Sequence, residues 1–110
     1  MYTLSIEDTV EVPVKFTLKV GRVNKLYSFS MTATRQPQEV IEGWIADTDR
    51  KVKDILTEVV FGWSGQTLVM DGDKPAEFNA DSFAAMLGVS GVAMRLYVAY
   101  LKECGAKEKN

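Results

Sequence analysis

The 110-residue chain contains no histidine. That removes the commonest general base, the commonest metal ligand and every Ser-His or Cys-His arrangement. Cys104, the single cysteine, lies in the C-terminal tail beside Glu103 and Lys102. The setting suggests an incidental thiol rather than a nucleophile, and one cysteine closes no intrachain disulfide. Asp71-Gly72-Asp73 superficially suggests a calcium loop. The twelfth position counted from Asp71, where an EF-hand places a bidentate glutamate, is Ser82. A tight turn is the better reading, because Asp-Gly supplies its geometry. Gly62, Gly65 and Gly72 fit no phosphate-loop or dinucleotide spacing. The Asp47/Asp49 pair reads as a helix cap rather than an acid/base dyad. The expectation is a protein that is not an enzyme and uses no metal or cofactor.

Apolar residues make up 46% and charged residues 25% of the chain, a globular balance. The formal charge of −2 provides no broad basic footprint, so no nucleic-acid partner is expected. The single Cys104 fits a reducing cytoplasm, and no secretory signal is expected, because Glu7, Asp8 and Glu11 occupy the region where one needs an apolar core. Phe83–Leu101 is apolar over about a bilayer's thickness. It nevertheless contains Gly88, Ser90, Gly91 and Arg95. An arginine near the middle of a span costs about 2.5–3.5 kcal/mol. Two short helices around a Gly-Val-Ser-Gly turn fit better than a membrane span.

The elements expected to position any site form one domain over residues 1–110. Residues 1–10 are a possible loose arm. Residues 11–20 alternate, with Val12, Val14, Phe16, Leu18 and Val20 on one face. Pro13 cannot donate to a ladder, so its end of the strand is an edge or a beginning. After a turn at 21–25, residues 26–34 alternate again, with Tyr27, Phe29, Met31 and Ala33 on one face. This reads as a β-hairpin over 11–34 whose apolar face must pack on something.

The helical part spans 37–103. Pro37 opens a helix bearing Val40, Ile41, Trp44 and Ile45. A second helix, about Asp49 to Phe61, carries Val52, Ile55, Leu56, Val59 and Val60 at helical spacing. Asp47-Thr48-Asp49 are candidate N-caps for it. Asp49/Lys53 and Arg50/Asp54 are candidate i,i+4 pairs, and Gly62 is a candidate C-terminal stop. Past Trp63 and the Asp71–Pro75 turn, Asn79 or Asp81 caps a short helix whose face is Phe83, Met86 and Leu87. Gly88 ends it, and Ser90 or Gly91 starts the last helix, about Val92 to Lys102. Residues 104–110 read as a frayed tail. The fold class is α+β: an N-terminal antiparallel β-hairpin packed on about four short α-helices.

Trp63 and Trp44 each admit two readings, core anchor or interface anchor. The last helix is apolar on almost every side. Val92, Leu96, Ala99 and Tyr100 form one face; Ala93, Met94, Tyr97, Val98 and Leu101 cover most of the rest. Such a helix is either a central core helix or has a face left over for a partner. Met94, Leu96, Tyr97, Tyr100 and Leu101 are the candidate partner contacts, and methionine suits varied apolar clients. Trp63, Phe78, Phe83 and Leu87 are the candidate structural anchors.

Four runs of the C-terminal half stand in a telling order. Val59-Val60-Phe61-Gly62-Trp63-Ser64-Gly65 comes first, then Asp71-Gly72-Asp73-Lys74-Pro75-Ala76-Glu77-Phe78. Asp81-Ser82-Phe83-Ala84-Ala85-Met86-Leu87 follows, with Leu96–Tyr100 closing the pattern. In this order and spacing the chain resembles the tail assembly chaperones of long-tailed bacteriophages. The likeness extends back to the helix at Asp49 and leaves the N-terminal hairpin unmatched. It implies a chaperone that binds the tape measure protein, helps recruit tail-tube subunits, self-associates and is absent from the finished virion. It also implies a host-cytoplasmic location and, in many members, a longer form made by frameshifting. The alternative is a small structural tail component retained in the virion.

Overall fold

The computed structural model describes residues 2–3 and 7–106. Most of the proposed arm at 1–10 therefore precedes the first strand, with residues 1 and 4–6 outside the described residues. The end of the proposed tail, 107–110, lies outside them as well.

Strands β1 (Thr9–Val20) and β2 (Val23–Thr34) form the expected antiparallel hairpin. The register runs from Thr9↔Thr34 to Val20↔Val23. The connection is only Gly21-Arg22, so the turn is shorter than 21–25. Gly21 has φ +65°, and among the described residues only glycines have positive φ. A two-residue loop with glycine first matches the right-handed twist of the strands, which lets Val23, Asn24 and Lys25 continue the ladder. Val10, Val12, Val14, Phe16, Tyr27, Phe29, Met31 and Ala33 all bury on one face. Beyond Phe16 and Tyr27 this face outruns its cover: Leu18 is half-buried and Val20 is 53% exposed.

Helix α1 (Gln38–Ala46) begins after Pro37, which serves as N-cap rather than first helical residue. Ile41 and Trp44 bury, whereas Ile45 faces solvent and drops out of the expected stripe. Helix α2 (Val52–Val59) is shorter than expected at both ends. Lys51 occupies its N-cap without a side-chain bond. Asp47 instead closes a local turn, its Oδ1 accepting from the Asp49 N–H at 3.0 Å. The expected pairs Asp49/Lys53 and Arg50/Asp54 do not form; Arg50 instead makes an exposed ion pair with Glu58.

The larger correction is at Val60. Residues Val60–Ser64 are a third strand, β3, not the end of a helix and a turn. It pairs with β2 through Ala33↔Val60, Thr32↔Gly62, Met31↔Trp63 and Ser30↔Ser64. Phe61 is the extra residue of a bulge between Thr32 and Ala33. Gly62 is thus a strand residue, not a helix stop. A Val-Val-Phe run satisfies helical spacing and strand propensity equally, and the open edge of β2 decides between them.

The sheet order is β1-β2-β3, which leaves β1 at one edge. A small ribbon follows, β4 (Met70–Asp71) with β5 (Lys74–Pro75), turning at Gly72-Asp73 as expected. Helix α3 (Ala80–Leu87) is capped by Asn79, whose Oδ1 accepts from the Ser82 N–H at 2.8 Å. The Ser82 Oγ accepts from the Asn79 N–H in return, at 2.9 Å. After Gly91, at φ +83°, helix α4 (Val92–Leu101) leaves at 105° to α3. Among the described residues no single helix is long and apolar enough to cross a membrane. One π-helical turn, Lys102–Ala106, follows α4. The result is an α+β fold in which four α-helices, among the described residues, accompany a hairpin extended by β3.

Candidate partner-binding surface

Helix α4 resolves the two readings of its apolar surface by splitting them. Val92, Leu96 and Tyr100 are each fully buried in the core shared with β1, β2 and α2. Leu96 and Tyr100 are therefore corrected: no partner can touch side chains that the core already encloses. Tyr100 is held twice over. Its hydroxyl donates to the Thr34 carbonyl at 2.6 Å, and its ring lies 6.2 Å from that of Trp44. Burial pushes its phenol well above the ordinary tyrosine value, and the neighbouring Cys104 acts in the same direction. Trp44 itself is 8% exposed and belongs to the core.

The other face is open. Met94 and Val98, one helical turn apart, are 54% and 56% exposed. Tyr97 and Leu101 are half-buried beside the core. Desolvation raises the Tyr97 phenol too. Met94 and Val98 stand over a groove of about 650 Å³ between α4 and the open edge of β1. Pro13, Lys15, Phe16 and Thr17 line it from the strand; Met94, Arg95, Val98, Ala99, Lys102 and Glu103 line it from the helix and the turn after it. The Arg95 guanidinium lies over the Phe16 ring, 5.9 Å from its centroid. Such stacking holds a guanidinium in place while leaving its donors free. The sequence expectation thus finds the helix but only part of the face. Val98 belongs with Met94, and Lys15, Arg95 and Lys102 make a cationic rim that apolar counting overlooks.

The structural anchors assemble as a second cluster. Trp63 packs edge-on against Phe78 at 5.2 Å and Phe83 at 6.1 Å, and Phe78 lies 5.2 Å from Phe83. Leu87 is buried on the same helix as Phe83. The Trp63 Nε1–H donates to the Ala76 carbonyl at 3.1 Å. Gln66, an unremarked residue in the sequence, completes this clasp. It is 2% exposed. Its Nε2 donates to Val69 and Ala76 carbonyls, and its Oε1 accepts from the Leu68 and Val69 N–H groups. A buried glutamine with its amide fully used is a loop staple. No short-range pattern marks it, because its partners lie in an irregular segment.

Among the described residues no group of three or more Cys, Asp or Glu side chains is placed to hold a metal ion. Compared with family models, curated proteins and solved structures, the chain matches none.

Proposed function

We propose that this chain is a tail assembly chaperone of a long-tailed bacteriophage or prophage. In this reading it acts in the host cytoplasm without catalysis. It holds apolar segments of the tape measure protein, assists recruitment of tail-tube subunits and is left out of the finished virion. The observation that carries the proposal is the exposed Met94–Val98 strip over the groove beside β1. A holding protein needs apolar surface that its own core leaves uncovered. The order of the Gly-Trp, Asp-Gly-Pro-Phe and capped-helix segments supports the same reading by resemblance.

Co-expression tests it. The chain should keep the tape measure protein soluble, and Met94→Asp with Val98→Asp should abolish this while leaving circular dichroism and melting unchanged. An insoluble tape measure protein in the presence of the wild-type chain would reject the proposal. A second reading, a small tail component retained in the particle, is favoured by the exposed hairpin tip with Val20, Val23 and Leu26. Mass spectrometry of purified virions decides between the two, since a chaperone is missing from them.

A further inference from the structure

We infer that the groove between β1 and α4 takes an amphipathic helix whose apolar stripe is flanked by carboxylates. This deepens the chaperone reading and rests on it for the source of the segment, a stretch of the client.

The groove has an apolar floor and a cationic rim. Phe16, Met94 and Val98 supply the floor; Lys15, Arg95 and Lys102 supply the rim. Only Glu103 opposes them in sign, and it is half-buried. Among the described residues the one ion pair is Arg50–Glu58, elsewhere in the fold, so none of the three rim cations has a described carboxylate within 4.0 Å. Three unpaired cations around apolar surface favour a ligand that brings both an apolar stripe and negative charge. In a chain of net charge −2 this rim runs against the overall sign, so it is a local property of the groove.

The occupant is a helix rather than an added strand. The edge of β1 is open, but Pro13 stands in the groove wall and has no N–H to offer a neighbouring strand. Lysines and prolines on an edge strand discourage strand addition. A helix arrives with its backbone already hydrogen-bonded and needs only side-chain contacts, with anchors at i and i+4 matching the Met94–Val98 spacing.

A fluorescently labelled peptide of about 20 residues, some 30 Å as a helix, provides the test. It carries a leucine stripe flanked by glutamates; its isomer carries lysine at every glutamate position. The full chain should bind the glutamate peptide at least about tenfold more tightly at low salt, and high salt should erase the difference. The peptide should become helical on binding. Combining Lys15→Glu, Arg95→Glu and Lys102→Glu should reverse the preference, and Val98→Asp should weaken both peptides. Circular dichroism shows that each variant is folded. Equal affinity for the two peptides, a preference that persists in high salt or in the triple variant, strand formation by the peptide, or binding of neither would each overturn the inference. Running co-expression with the tape measure protein in parallel keeps the two claims apart. A solubilised client with charge-blind peptide binding rejects the groove's selectivity and keeps the chaperone. Charge-selective binding beside an insoluble client does the reverse.

Discussion

Single side chains divide sharply here between those that hold the fold and those that face outward. Leu96 is fully buried, so Leu96→Ala should remove about 2–5 kcal/mol of stability in urea unfolding, whereas Met94→Ala should stay within about 0.5 kcal/mol. Tyr100 adds a pH signature. Its folded-state pKa is raised by burial, so the folded protein keeps the phenol proton that the unfolded chain releases near pH 10. The contribution is fully present below about pH 10 and is lost as pH rises above it. Melting temperature should therefore fall more steeply above pH 10 in the wild type than in Tyr100→Phe. The same variant should be less stable by about 1 kcal/mol at neutral pH, where it lacks the bond to the Thr34 carbonyl. Identical alkaline slopes would mean that other groups set the transition.

At the level of elements, the strands and helices whose signals are local were legible in the sequence. The hairpin follows from strict alternation through Phe16 and from Tyr27 onward. Helix α3 follows from Asn79 and Gly88, residues whose side chain or flexibility acts within a turn. Strand β3 was not legible, because Val59-Val60-Phe61 fits either period and only the distant edge of β2 selects the strand. For the same reason the candidate surface was half legible. Apolar composition identified α4, but which of its faces the sheet covers depends on where β1 and β2 lie. Gln66 was invisible, since its four hydrogen bonds arise from a loop shape with no periodicity. The local devices are open to direct test. Asn79→Ala removes the acceptor for the Ser82 N–H and should lower stability by about 1 kcal/mol, read from the urea midpoint. Gln66→Leu is expected to be costlier, about 1–3 kcal/mol, because it leaves the part-buried Leu68 and Val69 N–H groups without their acceptor. If Gln66→Leu proved no worse than Asn79→Ala, water would have to reach that loop and the staple would matter little.

The molecule as a whole is elongated, 54 × 29 × 28 Å, with a Cα radius of gyration of 15.0 Å. A compact chain near this length would have about 13 Å. The long strands explain much of the difference. Strand β3 pairs only with the Ser30–Ala33 part of β2, and every residue from Lys19 to Leu26 is exposed. The hairpin tip therefore projects past the core and contributes little to it, which separates its role from that of the body. It also carries Lys19, Arg22 and Lys25 with no acidic neighbour in the same segment, opposite in sign to the whole chain. Replacing Lys19–Asn24 with an Asn-Gly dipeptide would close the hairpin at the existing Leu18↔Lys25 pair with a favoured two-residue turn. Stability should then change by no more than about 0.5 kcal/mol, because the removed side chains are exposed. The radius of gyration from small-angle scattering should fall. Peptide binding in the groove should persist, since the wall residues Pro13 to Thr17 stay in place. If shortening instead abolished client solubilisation while peptide affinity held, the tip would be a second contact with client or tube, acting apart from the groove. If it unfolded the protein, the tip would be part of the core despite its exposure.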